Sequence, residues 1–321
     1  MHHLMQGNSR QALTEDPDKL DAFIGDPDFE QGYAYGHEVL GTELGAALRR
    51  HALLLIQPDC LARRQAMECV VAAEQHGFQL VTSVRVHLSP RVVGALWFYQ
   101  EDSSTPDSCT IGELVCGHTD SLLLLLRDEA PLPDTPASLR MTRLKGPSRP
   151  EQRTAEHLRS AIGAQDRLVV LIHTSDEPAD MIRESAIICG SSARELYQKM
   201  AEPVADDARS QLTAQIESLY EQTEPHDLEP QAALTRLGEA LSNRATDPQY
   251  ELVARGLLST LTSVQAGEHH LDWQPFARDL AAVGIDPTQW DPVLVGSRYI
   301  KVDTSDRPRR FAVTHNGPAQ P

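Results

Sequence analysis

His173 follows an apolar run, Leu168 to Ile172, and is followed directly by Thr174-Ser175-Asp176. A histidine at the tip of a strand can serve as a nucleophile or a base, because imidazole both attacks and leaves readily near neutral pH. Its plain alternative is a structural ring satisfied by its neighbours. His269-His270 beside Glu268 has the residue types of a metal site. Adjacent side chains diverge, however, and no further ligand stands at helical spacing, so this group reads as surface. The cysteines Cys60, Cys69, Cys109, Cys116 and Cys189 are odd in number and form no C-x-x-C pair. They read as reduced thiols of a cytosolic protein, with Cys60 and Cys69 in or beside a core.

The elements that would position His173 are legible in the apolar pattern. Ala52 to Ile56 is a short buried strand ended by Pro58-Asp59. Leu61, Met67, Val70, Val71 and Glu74 keep helical spacing, and Gly77 sits where a helix ends. Phe78, Leu80, Thr82, Val84, Val86 and Leu88 alternate like a half-buried strand. A helical stretch from Arg91 to Gln100 precedes a loop from Asp102 to Asp107, and Leu122 to Leu126 is a third strand. A short helix near Ala137 to Arg143 leads through a long loop to a fourth strand, Leu168 to Ile172. Pro178 suits the first turn of a helix running to Cys189. This order predicts an α+β, ferredoxin-like fold: a four-stranded antiparallel sheet with helices on one face.

Residues 1–48 form an acidic N-terminal arm, with turn or cap signals at Asp16-Pro17-Asp18 and Gly25-Asp26-Pro27-Asp28. Short helices fit Leu20 to Ile24 and Glu38 to Arg50. The main domain spans 49–190. A mainly helical C-terminal region, 191–321, shows apolar stripes at Leu212/Ile216/Leu219, Leu234/Leu237/Leu241, Tyr250 to Val264 and Phe276/Leu280/Val283. Trp273 and Trp290 read as anchors of those helices. A hairpin pairing Arg298 to Val302 with Arg310 to Thr314 would close the chain.

The segment Leu168 to Asp176 resembles the active-site signature of nucleoside diphosphate kinases, Asn-x-x-His-Gly-Ser-Asp. That resemblance implies a phosphotransferase. A nucleoside triphosphate, ATP or another, would give its γ-phosphate to His173 in the presence of Mg2+ carried on the nucleotide. The phosphohistidine would then pass it to a nucleoside diphosphate or a specialised small-molecule acceptor. The family's ring-orienting glutamate lies eleven residues downstream, which here is Glu184. Ser175 falls on its serine. Upstream, Gln57-Pro58-Asp59 resembles Lys-Pro-Asp, His76-Gly77-Phe78 resembles Lys-Gly-Phe, and Glu113-Leu114-Val115 resembles Gly-Leu-Val. His157-Leu158-Arg159 places Arg159 as a phosphate clamp, with Arg140 or Arg143 as the second; a guanidinium fork suits phosphate oxygens. Tyr99, or Trp97, corresponds to the family tyrosine before the base clamp.

The departures are specific. Gln57 stands for the lysine, Val170 for the asparagine and Thr174 for the glycine, and the base-site segment is unrecognisable around Ser108 to Ile111. Losing one donor to the transferring phosphate costs about 10²–10³ in rate. The resemblance therefore implies a slower or specialised enzyme. Its alternative is an impaired nucleotide-binding regulatory or scaffold module. Bland roles also stand beside the chemical ones: Asp176 as a helix N-cap, Glu184 and Arg159 as surface charges, Gln57 as a turn residue.

Charge excludes other classes. Lys+Arg 29 against Asp+Glu 46 gives −17, which repels nucleic acids and anionic membranes. A nucleotide would need a local cationic cluster. No basic leader precedes an apolar stretch and no run approaches the roughly 18 residues of a membrane helix, so the expectation is a soluble cytoplasmic protein. The family forms homo-oligomers through the ferredoxin-like domain, contacts that the C-terminal appendage could block.

Overall fold

The computed structural model describes residues 12–101, 103–304 and 311. The chain opens with α1 (Pro17–Phe23), α2 (Pro27–Leu40) and α3 (Leu44–Arg50), followed by β1 (His51–Ile56), α4 (Pro58–Ala62) and α5 (Ala66–Gln75). Then come β2 (Phe78–Val86), α6 (Pro90–Glu101), α7 (Pro106–Cys116), β3 (Ser121–Asp128), α8 (Ala137–Lys145), α9 (Leu158–Ala161), β4 (Ile172–Thr174) and α10 (Pro178–Cys189). The remainder is helical: α11 (Ala193–Ala201), α12 (Ala208–Gln222), α13 (Pro230–Arg244), α14 (Glu251–Gln265), α15 (Trp273–Ala282) and α16 (Trp290–Tyr299).

The sheet runs β2-β3-β1-β4 with every pair antiparallel, the ferredoxin-like order. β1 lies centrally, pairing Leu54 with Leu124 on one side and with Thr174 on the other. Helices cover both faces of the sheet, not one. Ala52, Leu54, Ile56, Leu122, Leu124 and Leu126 join a core that continues into the C-terminal helices. Leu53, Leu55, Leu123 and Leu125 join a second core with the arm helices, α10 and α11. A strand buried on both faces has no polar side to show, which is why β1 and β3 read as unbroken apolar runs.

Local chemistry sets the arm. Asp16 caps α1 by accepting from the Asp18 and Lys19 amides, Asp26 caps α2, and proline opens both helices. A 3-10 turn at Gly41–Glu43 divides what the sequence suggests is one helix over Glu38 to Arg50. α2 lies against α10 at Gly32, where a Cβ would collide with the Ile182 carbonyl. The arm is thereby seated directly on the helix that carries Glu184.

β4 differs from expectation. The strand comprises Ile172–Thr174, so His173 is inside it and Leu168 to Leu171 are not. Carboxylates, and not a ladder, serve the amides of that segment. Asp166 Oδ1 accepts from Leu168 N at 2.8 Å, and Asp59 Oδ2 accepts from Leu171 N at 2.8 Å. Leu171 itself takes φ 67°, a turn conformation rare for a branched side chain. At the other end, Arg298 and Tyr299 finish α16 and are not hairpin residues. Of the expected partner segment, Arg310 and residues 312–314 lie outside the described residues. No helix among the described residues is long and apolar enough to cross a membrane.

Candidate active site

β4 delivers His173 to the face covered by the arm, opposite Leu55, and α10 starts four residues later. The ring is held from two directions. Its Nε2 lies 3.1 Å from Glu184 Oε2, and the Trp97 ring meets it edge-on with centroids 5.6 Å apart. The same Glu184 oxygen accepts the Ser175 hydroxyl at 2.6 Å. Burial alone would raise the Glu184 carboxyl. The His173 ring and the Ser175 hydroxyl outweigh it and hold the acid below its ordinary range. Glu184 is thus an anion aimed at an imidazole.

The acid expected to cap α10 does something else. Glu177 is the N-cap and forms a reciprocal capping box with Asp180. Asp176 instead receives the Thr142 hydroxyl at 3.1 Å and the Lys145 ammonium at 3.4 Å. Burial opposes its ionisation, but Lys145, Lys19 and His173 prevail and bring its pKa down to about 2. Lys145 is itself pushed below the usual lysine range by burial. Thr142 also reaches the Thr174 hydroxyl at 2.7 Å, tying α8 to the histidine strand.

The arm completes the surroundings. Lys19 of α1 donates to Glu177 at 2.7 Å and to Asp180 at 2.9 Å while buried. Asp180 is pushed up to about 6 by burial, against the pull of Lys19 and with the push of Asp176 and Glu184. A cavity of about 40 Å³ touches His173, lined by Lys19, Tyr99, Asp176, Arg183 and Phe311 among others. Pockets for small molecules run to roughly 300–1,000 Å³, so this one admits about three water-sized groups.

The residues singled out from sequence separate into two sets. His173, Glu184 and Ser175 are mutually bonded, and Tyr99 lines the same cavity with its hydroxyl 2.9 Å from Asp26 Oδ2. Gln57, Arg140, Arg143 and Arg159 are not among the residues lining that cavity. The Gln57 amide is buried and donates to Cys116 Sγ at 3.2 Å. Arg159 is buried and donates to the Gly146 and Ile172 carbonyls. Arg140 pairs with Asp128 and stacks over Phe78 at 4.0 Å. Arg143 is half-buried, its Nε without a hydrogen-bond partner among the described residues. The sequence reading missed Lys19, Arg183 and Asp180. Arg183 and Asp180 share the helix of Glu184 at positions whose direction depends on the arm; Lys19 lies more than 150 residues from His173.

The family model "Nucleoside diphosphate kinase" matches residues 50–193. No curated protein matches the chain. Among solved structures, the nucleoside diphosphate kinase of Aquifex aeolicus is 16% identical, covering 48% of this chain and 95% of its own, with TM-score 0.34. That of Encephalitozoon cuniculi is 16% identical, covering 51% and 99%, with TM-score 0.39. A nucleoside diphosphate kinase family protein of Babesia bovis is 20% identical, covering 43% and 86%, with TM-score 0.35. The chain carries a divergent nucleoside-diphosphate-kinase-like domain at residues 50–193, continued by helices.

Proposed function

We propose that this protein is a phosphotransferase that takes the γ-phosphoryl group of a nucleoside triphosphate onto His173 and passes it to a nucleoside diphosphate or a specialised small acceptor. The observation that carries the reading is the shared Glu184 oxygen, which accepts from both His173 and Ser175. A ring that donates Nε2–H to this carboxylate keeps the lone pair on Nδ1. That lone pair forms the Nδ1–P bond while the bond from phosphorus to the bridging oxygen breaks. The nucleoside diphosphate leaves with the electron pair. Glu184 remains ionised and balances the positive charge gained by the ring, and the second half-reaction reverses these steps toward the acceptor.

Magnesium enters as part of the substrate, on the nucleotide phosphates. Among the described residues no group of three or more His, Cys, Asp or Glu side chains is arranged to hold a metal ion. Tyr99 is an aromatic wall of the cavity that touches the ring, and Trp97 meets the ring edge-on. Arg159, Arg140 and Gln57 are engaged elsewhere in the fold, and neither they nor Arg143 line the cavity at His173.

A second reading, a regulatory or scaffold module without transfer, is favoured by one observation: a cavity of about 40 Å³ is too small for a nucleotide. Incubation with γ-labelled ATP and magnesium distinguishes the two. Acid-labile label on wild type, absent from His173→Ala and discharged by added nucleoside diphosphate, is the expected result. Nucleotide binding by calorimetry with no label on wild type would put the second reading first.

A further inference from the structure

We propose that Lys19, on the arm outside the kinase-like domain, supplies the positive charge for the phosphoryl group moving to His173, so that the arm is part of the site; this rests on the phosphohistidine reading. The position where the family resemblance implies a lysine holds Gln57, an uncharged side chain that is buried, donates to Cys116 and does not line the cavity. A phosphoryl group approaching His173 meets instead the cavity walls, which carry the carboxylates Asp176, Asp180 and Glu184 and, as cations, Lys19 and Arg183. Arg183 is committed: its guanidinium donates to Asp26 at 2.8 Å and to the Ala95 carbonyl at 2.8 Å, and it lies over the Tyr99 ring at 4.9 Å. Lys19 is different. An ammonium has three donors, and two are used, toward Glu177 and Asp180. The third has no partner among the described residues, and the residue lines the cavity beside His173 and Asp176.

Its carrier is built to hold that ammonium still. Glu177 accepts from the Thr14 hydroxyl at 2.7 Å and the Glu15 amide at 3.0 Å as well as from Lys19. The start of α1 is therefore fastened to the start of α10 at the acid that Lys19 also uses. A fixed charge costs no reorganisation when negative charge arrives, which is the condition for electrostatic catalysis. The space of about 40 Å³ suits the three oxygens of a phosphoryl group and not a nucleoside. The rest of the nucleotide would lie outside that space.

The test separates the charge of Lys19 from the fastening of the arm. Lys19→Met removes the charge, whereas Glu177→Gln weakens the fastening and keeps it. Single-turnover formation of phosphohistidine from ATP and magnesium is expected to fall about 10²-fold in K19M and by about tenfold at most in E177Q, which loosens the ammonium without removing it. Equal loss in both variants, or a K19M rate within about threefold of wild type, overturns the assignment. Melting curves check folding, and if K19M is unfolded the charge-balanced K19M/D180N is read in its place. Absence of phosphohistidine in wild type defeats the transfer reading itself, and tripolyphosphate titration then decides the role of Lys19. Binding to wild type and E177Q but at least tenfold weaker to K19M supports it; equal binding, or none to wild type, overturns it.

Discussion

Replacing Glu184 by Gln changes one charge and almost no volume, at the atom on which the ring orientation depends. Oε2 accepts from His173 at 3.1 Å and from Ser175 at 2.6 Å, with the side chain only 11% exposed. A hydrogen bond to an ionised acceptor is worth about 1.5–3 kcal/mol and a neutral one about 0.5–1.5, so each bond weakens by about 1–2 kcal/mol. The Ser175 bond is the same before and during transfer and cancels from the rate. The His173 bond strengthens as the ring becomes positive, so its loss falls on the barrier. That is about 5–30-fold in rate. The assay is rapid-quench formation of acid-labile phosphate on the protein at saturating ATP and magnesium. Glu184→Ala, which leaves Nε2 and the Ser175 hydroxyl without this acceptor, should be slower than E184Q. An E184Q rate within about twofold of wild type, or a change confined to KM, would refute the orienting role of the carboxylate.

Other consequences follow from burial. Asp59 is wholly buried, accepts from the Leu171 and Cys60 amides, and is pushed up to about 6 by loss of water. The folded state then holds this proton more tightly than the unfolded one, whose pKa is about 3.9. The contribution of Asp59 to stability is full below pH 4 and declines as pH rises through about 6, by on the order of 3 kcal/mol. Denaturant titrations between pH 4 and 7 should show that decline reduced in Asp59→Asn relative to wild type; identical slopes would contradict it. Gly32→Ala forces a methyl against the Ile182 carbonyl and should destabilise by about 1–3 kcal/mol. An unchanged melting temperature would mean that α2 and α10 are not so closely opposed. Leu54→Ala, at a fully buried site between β3 and β4, should cost about 2–5 kcal/mol by thermal or denaturant unfolding, and a loss below 1 kcal/mol would contradict the packing described.

Much of this was readable from residues alone, for physical reasons that can be named. The apolar runs at Ala52 to Ile56 and Leu122 to Leu126 are long enough to be strands and too short for anything else. Proline opens α1, α2 and α10 through its fixed φ, and aspartate caps α1 and α2 through a side-chain oxygen, both of them local effects; at α10 the cap is Glu177 and not the expected Asp176. The spacing of His173, Ser175 and Glu184 survives because a short strand followed by a helix fixes the distance between them. What stayed hidden depends on contacts across the chain. Leu168 to Ile172 has the composition of a strand, yet Asp59, more than 100 residues earlier, takes the Leu171 amide and turns the backbone. Arg159 has the type and place of a phosphate clamp, but in the fold two of its N–H groups go to the carbonyls of Gly146 and Ile172 and it does not line the cavity at His173. Lys19 looked like one charge in an acidic arm, since nothing near it in sequence announces Glu177 or Asp180 as partners. The second covered face of the sheet was implicit in the unbroken apolar runs and went unread because an antiparallel sheet commonly leaves one side to water.

The position of the phosphate on the His173 ring is the most direct measurement. After brief reaction with ATP and magnesium, the phosphorylated protein would be examined at alkaline pH by phosphorus NMR, which distinguishes the two ring nitrogens. With Nε2 occupied by Glu184, a single signal is expected, from phosphate on Nδ1 and absent from His173→Ala. Phosphate on Nε2, or on a residue other than His173, would contradict it.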